Sequence, residues 1–264
     1  MRTALSAIAL AVVLAAAGFA VSQAPPLPGY LAGREPDTVA SLPPAPRPGD
    51  VRDVADMQIF RATRALAGTP RWAQAARDAD LSPAPLLTAF DCAVGVQLTP
   101  ENAPALMALL ARSRADVAAA YSQPKDLYRR PRPYRREAAD ICLPRSKALD
   151  ESFDYPSGHS SIAWFTGMIL AQLAPDRAGP ILQRARSIGE SRVVCGVHTL
   201  SAVTEGRTAA ASVAAALESD PRFRADVEAA RLELAQLRAK AGPPAAAGSQ
   251  VCNAQAALIA KSPW

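Results

Sequence analysis

The chain has 264 residues, 50% of them hydrophobic and 20% charged, which is enough for one domain with a sizeable core. Its net charge of +5 at pH 7 is modest, and no stripe of Lys and Arg with interleaved aromatic residues indicates nucleic-acid binding. The charge suits an anionic small-molecule substrate, although an ordinary, slightly basic surface explains it at least as well.

Residues 1–20 have the pattern of an export signal, because Arg2 precedes an apolar run that ends in the small-residue cleavage site Gly18-Phe19-Ala20. The run is too short for a lasting membrane span, and no other stretch is long enough. Removal of residues 1–20 removes one charge, Arg2, which leaves 28 basic against 24 acidic residues, or +4. We therefore expect a periplasmic or secreted protein whose mature chain is not inserted in a membrane.

Residues 21–53 are rich in proline and predict an extended arm that lies over the body of the protein. Helical spacing of apolar residues follows, so residues 54–242 predict a single all-α domain, a helical bundle without strands. A buried central helix is expected over 162–173, the main irregular segment over 124–160, and a flexible tail over 243–264. Four pairs of an N-cap residue and a proline predict helix starts: Thr69-Pro70, Ser82-Pro83, Thr99-Pro100 and Asp220-Pro221.

Four cysteines form an even set, and disulfide bonds are the default in an oxidising compartment. No two of them form a C-x-x-C pair, which makes a zinc site a weak interpretation. Three pairings are open, and any bond to the last cysteine would tie down the tail. The four are Cys92, Cys142, Cys195 and Cys252.

Both histidines of the chain lie in motifs that suit phosphate chemistry. The motifs are Lys125-x6-Arg132-Pro133, Pro156-Ser157-Gly158-His159 and Ser191-Arg192-x5-His198. A phosphate ester is anionic, and its transition state spreads charge over three oxygens that a metal-free site must balance with side chains and backbone donors.

Lys125, Arg132 and Arg192 are the candidate cations, since guanidinium grips two oxygens and ammonium acts as a point charge. Ser157 and Gly158 start the buried helix, where free N–H groups favour an anion. Each motif alone also fits a solvated basic run, a helix cap or a surface pair, but their order and spacing favour one site.

The two imidazoles can divide the reaction between them. His198 would attack phosphorus as the neutral nucleophile, and His159 would protonate the leaving alkoxide. A pair in which one ring is neutral and the other charged predicts an acidic pH optimum.

The three motifs resemble the signature of the type 2 phosphatidic acid phosphatase superfamily, which shares its fold with vanadium haloperoxidases, and the chain is similar to its bacterial class A non-specific acid phosphatases from about Tyr30 to Leu237. The resemblance implies an all-helical fold, no cofactor or metal, and phosphate monoesters as substrates. It also implies that His198 forms a phosphohistidine, that His159 is the general acid, and that phosphate is bound by Lys125, Arg132, Ser157, Gly158 and Arg192.

One residue departs from the family pattern, which continues as His-x3-Asp, whereas the fourth residue after His198 is Ala202. The missing carboxylate would orient the imidazole through its far nitrogen. One of three competing explanations is that Ser201 or Glu205 substitutes for it, the latter on the same face if the segment is helical. Otherwise the enzyme is impaired, or the protein is a degenerate phosphate-binding descendant without turnover.

A vanadate-dependent haloperoxidase is a further alternative, because vanadate in such a site mimics the phosphoryl-transfer transition state. Chain length and the export signal favour the phosphatase. The physiological substrate and the oligomeric state, a homo-oligomer included, are left open by the sequence.

Overall fold

The computed structural model describes residues 28–241 and 249–264, and every regular element in these ranges is helical. Residues 1–27, which include the predicted export signal, and residues 242–248 lie outside the described residues. The all-α prediction is confirmed. The helices are α1 (Thr38–Ser41), α2 (Val51–Arg64), α3 (Pro70–Arg77), α4 (Pro83–Thr88), α5 (Asp91–Val94), α6 (Pro104–Tyr128), α7 (Pro133–Arg136), α8 (Lys147–Glu151), α9 (Gly158–Leu173), α10 (Ala178–Val194), α11 (Leu200–Leu217), α12 (Pro221–Ala241) and α13 (Gln250–Ile259), with a 3₁₀ turn at Pro175–Arg177.

Three of the four predicted helix starts are the observed ones. Thr69 caps α3 by accepting a hydrogen bond from the backbone of Trp72, while Ser82 and Asp220 precede the first residues of α4 and α12. The prediction at Thr99 is wrong: Thr99 and Asn102 bond to each other's backbone N–H groups and close a turn, and α6 begins only at Pro104.

Helix α9 lies at the centre of the bundle, as the apolar segment 162–173 predicted, and packs against α6, α10 and α11. Small residues let the neighbours approach closely. A Cβ on Gly167 would lie 2.4 Å from the Cβ of Ala185 on α10, and one on Gly206 would lie 2.5 Å from the carbonyl oxygen of Ser157. The contact at Gly206 holds α11 against the start of α9, where the site is built.

Residues 28–50 are anchored to the body by polar contacts with α6. The backbone N–H groups of Tyr30 and Leu31 donate to the carboxylate of Asp116, at 2.9 and 3.0 Å, and the Thr38 hydroxyl donates to the carbonyl of Ala120. Tyr30 and Leu31 are buried in the core. The described part of the predicted arm therefore packs into the domain and contributes apolar side chains to it.

Two disulfide bonds are formed, Cys92–Cys252 and Cys142–Cys195, which confirms the expected oxidised cysteines and decides among the three pairings. The first bond ties α13 to the body. The described part of the predicted flexible tail is accordingly a helix, capped by Ser249 and bonded covalently to α5 through Cys92.

None of the helices in the described residues combines the length and the apolar character that a membrane crossing needs.

Candidate active site

The predicted cationic and histidine side chains are carried by helix ends and turns. Lys125 lies in the last turn of α6, Arg192 in the last turn of α10, and His159 in the first turn of α9. Arg132 precedes α7, and His198 lies in the turn between α10 and α11. Backbone bonds at these ends explain the motif spacings.

The spacing Ser-Arg-x5-His follows from the way α10 ends. The backbone N–H groups of Val197 and His198 both donate to the carbonyl oxygen of Arg192, at 3.1 and 3.2 Å, so the chain folds back and returns His198 to the end of the helix. Gly196 permits this turn with a left-handed φ of 81°. A Cβ there would also lie 2.4 Å from the guanidinium of Arg64, which donates to the carbonyls of Val193 and Val194.

His198 is buried, with 1% of its surface exposed, and both of its ring nitrogens have partners. Nε2 lies 2.9 Å from a guanidinium nitrogen of Arg132, and Nδ1 lies 2.7 Å from the carbonyl oxygen and 3.1 Å from the carboxylate of Asp154. Because guanidinium only donates, Nε2 must accept, and the proton of the neutral ring is on Nδ1. The lone pair of Nε2 therefore points toward the arginine, as a nucleophile for an anion held there would require.

Arg132 and Lys125 are held in place by backbone and hydroxyl oxygens. Arg132 donates to Ser152 and, at 2.7 Å, to the carbonyl of Val197, while Lys125 donates to the carbonyl of Phe153 at 2.9 Å. Burial and the neighbouring Arg132 lower the pKa of Lys125 to about 8. The ammonium group therefore keeps its proton at neutral and acidic pH and loses it only above about pH 8.

Arg192 is the least compensated charge of the group. It is 2% exposed, and its Nε and Nη1 atoms have no hydrogen-bond partner among the described residues. Burial and Arg132 lower its pKa to about 9. A buried guanidinium without an acceptor is costly, and an anion bound beside Arg132 and His198 would supply the missing partner.

The start of α9 adds backbone donors and the second histidine. Ser157 caps the helix by accepting from the backbone of Ser160, and its own N–H donates to the carbonyl of Ala202. Gly158 is required for packing, because a Cβ there would lie 2.9 Å from the ring of Tyr121. His159 is half-buried, and its Nε2 lies 3.0 Å from the carbonyl oxygen of Ala79.

Both histidines are held in the neutral form by their surroundings. Burial, then Arg192, lowers the pKa of His159 well below 6.5, and burial, then Arg132, does the same for His198. Arg132 and Arg192 contribute to lowering the pKa of both histidines, and His198 also contributes to lowering the pKa of His159, which places the two rings and the cations in one electrostatic neighbourhood. Such a site accommodates an anion and disfavours any further positive charge.

Comparison with known proteins identifies the family. Residues 105–224 match the PAP2 superfamily. An acid phosphatase of Zymomonas mobilis subsp. mobilis is 39% identical over 209 residues, which is 79% of this chain and 79% of that protein. Non-specific acid phosphatases of Providencia stuartii and Salmonella typhi are 34% and 32% identical over 76% and 73% of this chain, and over 82% and 78% of their own lengths.

The chain belongs to the acid phosphatases of the PAP2 superfamily. The resemblance carried by the three motifs is thereby confirmed, and so is the prediction that the protein is a phosphatase. In this acid phosphatase the family's histidine at the end of the third motif is His198, and the position that follows it by four residues is Ala202.

The groups expected to replace a carboxylate at position 202 are engaged elsewhere in this acid phosphatase, so that expectation is wrong. Glu205 pairs with Arg52 at 2.8 Å, and the hydroxyl of Ser201 bonds to Asp56 and Arg130. Ala202 itself is fully buried. The carboxylate at Nδ1 of His198 belongs instead to Asp154, 44 residues earlier in the chain.

Asp154 and Arg130 are the site residues that the sequence did not single out. Asp154 is fully buried and bonds to Thr199, His198 and Arg130. Arg130 belongs to a run of arginines typical of a solvated surface, yet it is 5% exposed and pairs with Asp53 and Asp56. The only sequence signal for Asp154 is its position two residues before the Pro-Ser-Gly-His motif.

Within residues 28–241 and 249–264, no group of three or more His, Cys, Asp or Glu side chains is arranged to hold a metal ion. The donors that face the site are guanidinium, ammonium and imidazole groups, and the cations among them repel a metal ion and attract a phosphate. The residues of the three motifs thus suit an anion as ligand.

Proposed function

We propose that this acid phosphatase hydrolyses phosphate monoesters without a metal, through a phosphohistidine on His198 with His159 as general acid. The observation that carries the proposal is the buried guanidinium of Arg192, whose Nε and Nη1 have no acceptor among the described residues. A phosphate group completes the hydrogen bonding of this side chain at the place where Arg132 already meets the Nε2 lone pair of His198.

In the binding step the phosphate takes the donors that the protein leaves free or shares. Arg192 offers the Nε and Nη1 groups that have no acceptor among the described residues, Arg132 offers the N–H that faces His198, and Lys125 adds a point charge. Arg132 transfers its N–H from Nε2 of His198 to a phosphate oxygen, which frees the lone pair. The hydroxyl of Ser157 and the backbone N–H of Gly158 contribute donors at the α9 N-terminus, whose partial positive charge favours the dianion.

In the first chemical step the Nε2 lone pair of His198 attacks phosphorus. The P–N bond forms while the ester P–O bond breaks, and the departing oxygen takes a proton from His159. Since Nε2 of His159 faces the carbonyl of Ala79, the proton that is transferred is the one on Nδ1. The three cations stabilise the charge on the equatorial oxygens of the transition state.

In the second step water attacks the phosphohistidine. His159, now neutral, accepts the proton of the water as the P–O bond forms, and the P–N bond breaks with its electron pair returning to Nε2. Inorganic phosphate leaves, and the protein regains its starting protonation state.

The protonation states required by this mechanism give an acidic optimum. His159 must carry a proton when substrate binds, but burial and Arg192 lower its pKa well below 6.5. The fraction of competent enzyme therefore falls as the pH rises. A bound phosphate dianion opposes the cations and raises the pKa of His159 in the complex.

The same proposal places the mature protein in the periplasm or outside the cell. The export pattern of residues 1–20 and the two disulfide bonds support an oxidising compartment. We retain the division into signal (1–20), arm (21–53), helical domain (54–242) and tail (243–264), and expect small phosphate esters rather than nucleic acid as partners.

The test is hydrolysis of p-nitrophenyl phosphate by the mature protein with EDTA present, between pH 4 and 8. We expect turnover on the acid side, loss of turnover in His198→Ala, and a phosphoryl group on His198 after rapid quenching under alkaline conditions. Turnover that EDTA abolishes would contradict the metal-free mechanism. Turnover at the level of His198→Ala would identify a phosphate-binding descendant, and bromide oxidation with added vanadate would identify a haloperoxidase.

A second histidine variant separates the two roles. His159→Ala should slow the hydrolysis of alkyl phosphates far more than that of p-nitrophenyl phosphate, because nitrophenolate leaves without protonation. Equal losses on both substrates would argue against His159 as the acid.

A further inference from the structure

The carboxylate that contacts the candidate nucleophile comes from a different part of the chain than the family pattern predicts. Asp154 lies in the loop before α9, is fully buried, and reaches Nδ1 of His198 with both its carbonyl oxygen and its carboxylate. Position 202, where the pattern has Asp, holds an alanine whose backbone oxygen accepts from Ser157.

We propose that Asp154 is the positioning residue of His198 and takes the place of the absent carboxylate at position 202. The inference rests on the proposed function of His198 as nucleophile. It predicts that alanine at position 202 does not impair the enzyme. The reason is that Asp154, from another part of the chain, supplies the carboxylate that contacts Nδ1 of His198.

The carboxylate of Asp154 accepts hydrogen bonds on both of its oxygens. One oxygen accepts from Nδ1 of His198 and from the backbone N–H of Thr199, at 3.1 and 3.0 Å. The other accepts from the hydroxyl of Thr199 at 2.7 Å and from Arg130 at 3.2 Å. Four donors on two oxygens match the acceptor capacity of a carboxylate. The group is thus fixed in position against His198.

A second layer of charge holds Asp154 in place. Arg130 is shared among Asp154, Asp53 and Asp56, and Arg136 also pairs with Asp53. Three carboxylates against two guanidinium groups leave one net negative charge in the cluster. This charge adjoins Nδ1 of His198, on the side of the ring away from Arg132.

The negative charge beside Nδ1 matters because the imidazole of His198 becomes positively charged during the reaction. When Nε2 bonds to phosphorus while Nδ1 keeps its proton, the ring carries a full positive charge. Arg132, Arg192 and Lys125 all oppose such a charge, as the lowered pKa of His198 reflects. Asp154 offsets the opposition only in the phosphorylated ring and its transition state, and therefore acts on turnover more than on substrate binding.

The first experiment compares Asp154→Asn with Asp56→Asn. Both variants remove one carboxylate partner of Arg130, but only Asp154 contacts His198. The backbone carbonyl of residue 154 still accepts from Nδ1 in the variant, so the tautomer is kept and the loss is that of one charged hydrogen bond. We expect kcat for p-nitrophenyl phosphate to fall about 10- to 100-fold with KM unchanged, and Asp56→Asn to stay within about threefold. Equal losses of kcat in the two variants would overturn the proposal.

The relative affinities for vanadate and phosphate distinguish a positioning role of Asp154 from a purely structural one. Vanadate bonds to the attacking nitrogen in the geometry of the transition state, whereas phosphate binds as a ground-state anion. Asp154→Asn should weaken vanadate at least tenfold and phosphate less than twofold. Parallel weakening of both anions would show a general disturbance of the pocket and refute the positioning role.

Anion binding and turnover separate the role of His198 from the role of Asp154. If the wild-type protein binds both anions but hydrolyses nothing, His198 is not a working nucleophile, while the vanadate comparison still tests the Asp154 contact. Should Asp154→Asn fail to fold, Thr199→Val removes one donor to the same carboxylate, and a kcat loss of about 3- to 10-fold at constant KM is expected. An unchanged kcat there would count against the proposal.

Position 202 supplies the converse test. Since Asp154 already serves Nδ1, Ala202→Asp should leave kcat unchanged or lower it by adding an unpaired carboxylate to a buried site. A tenfold rise in kcat would show that the orienting charge is missing in the wild-type protein.

Discussion

Replacement of Arg192 by methionine should stabilise the phosphate-free protein while it destroys the anion site. Burial lowers the pKa of this guanidinium from 12.5 to about 9, which corresponds to about 5 kcal/mol against keeping the charge inside the protein. Methionine has a similar length and no charge to desolvate. Allowing for lost packing, we expect the free energy of unfolding to rise by about 2 kcal/mol and Tm by about 4–8 °C.

Arg184 provides the matched control on the same helix. Like Arg192, Arg184 is a buried arginine of α10, and only 1% of its surface is exposed. Unlike Arg192, it donates hydrogen bonds to the carboxylate of Asp78, one of them at 3.0 Å. Arg184→Met leaves the buried carboxylate of Asp78 without its partner. This variant should therefore lose about 3–5 kcal/mol of stability.

The assay is thermal unfolding of wild-type protein and both variants, with and without inorganic phosphate. Phosphate at one hundred times its Kd should stabilise the wild-type protein by about 3 kcal/mol, and Arg192→Met should respond little. A lower Tm for Arg192→Met in phosphate-free buffer, or a full phosphate response in that variant, would refute the argument that Arg192 is an uncompensated charge awaiting an anion.

Four further predictions concern pH and the disulfide bonds. Burial and Arg192 lower the pKa of His159 well below 6.5, so its active protonated form is lost as the pH rises. Because bound phosphate raises this pKa, the upper limb of the kcat profile should lie at higher pH than that of the kcat/KM profile. Coincident limbs would contradict the assignment of His159 as the acid. Both histidines have a pKa well below 6.5 in the folded protein but bind protons below about pH 6.5 when the chain is unfolded. The free energy of unfolding of the phosphate-free protein should therefore fall on acidification below that pH. A urea titration that shows no such fall would contradict the lowered pKa values of His159 and His198. With the pKa of Lys125 at about 8, the inhibition constant of phosphate should rise above that pH, and Lys125→Met should show a weaker dependence. The Cys142–Cys195 bond closes a separation of 53 residues, so its removal by a double serine substitution should cost about 4 kcal/mol, measured as the unfolding midpoint in denaturant.

The sequence by itself was sufficient for features that depend on local chemistry. Thr69 and Asp220 mark helix starts because a short polar side chain before proline satisfies free N–H groups, and the apolar run from residue 162 had to be buried on all sides. The motif spacings around Lys125 and His198 carry the family signature, since each reflects one helix end and its following turn. These features are encoded within a few residues of one another.

What only the tertiary structure decided involves partners far apart in the chain. Asp154 meets His198 across 44 residues, and Arg130 leaves the solvent because Asp53 and Asp56 on α2 surround it. Asp154 looks unrelated to the third motif in sequence, yet its carboxylate lies beside Nδ1 of His198 because the loop before α9 packs against the turn after α10. Charge pairing in a buried site depends on distance in space, and no periodicity or spacing along the chain records it.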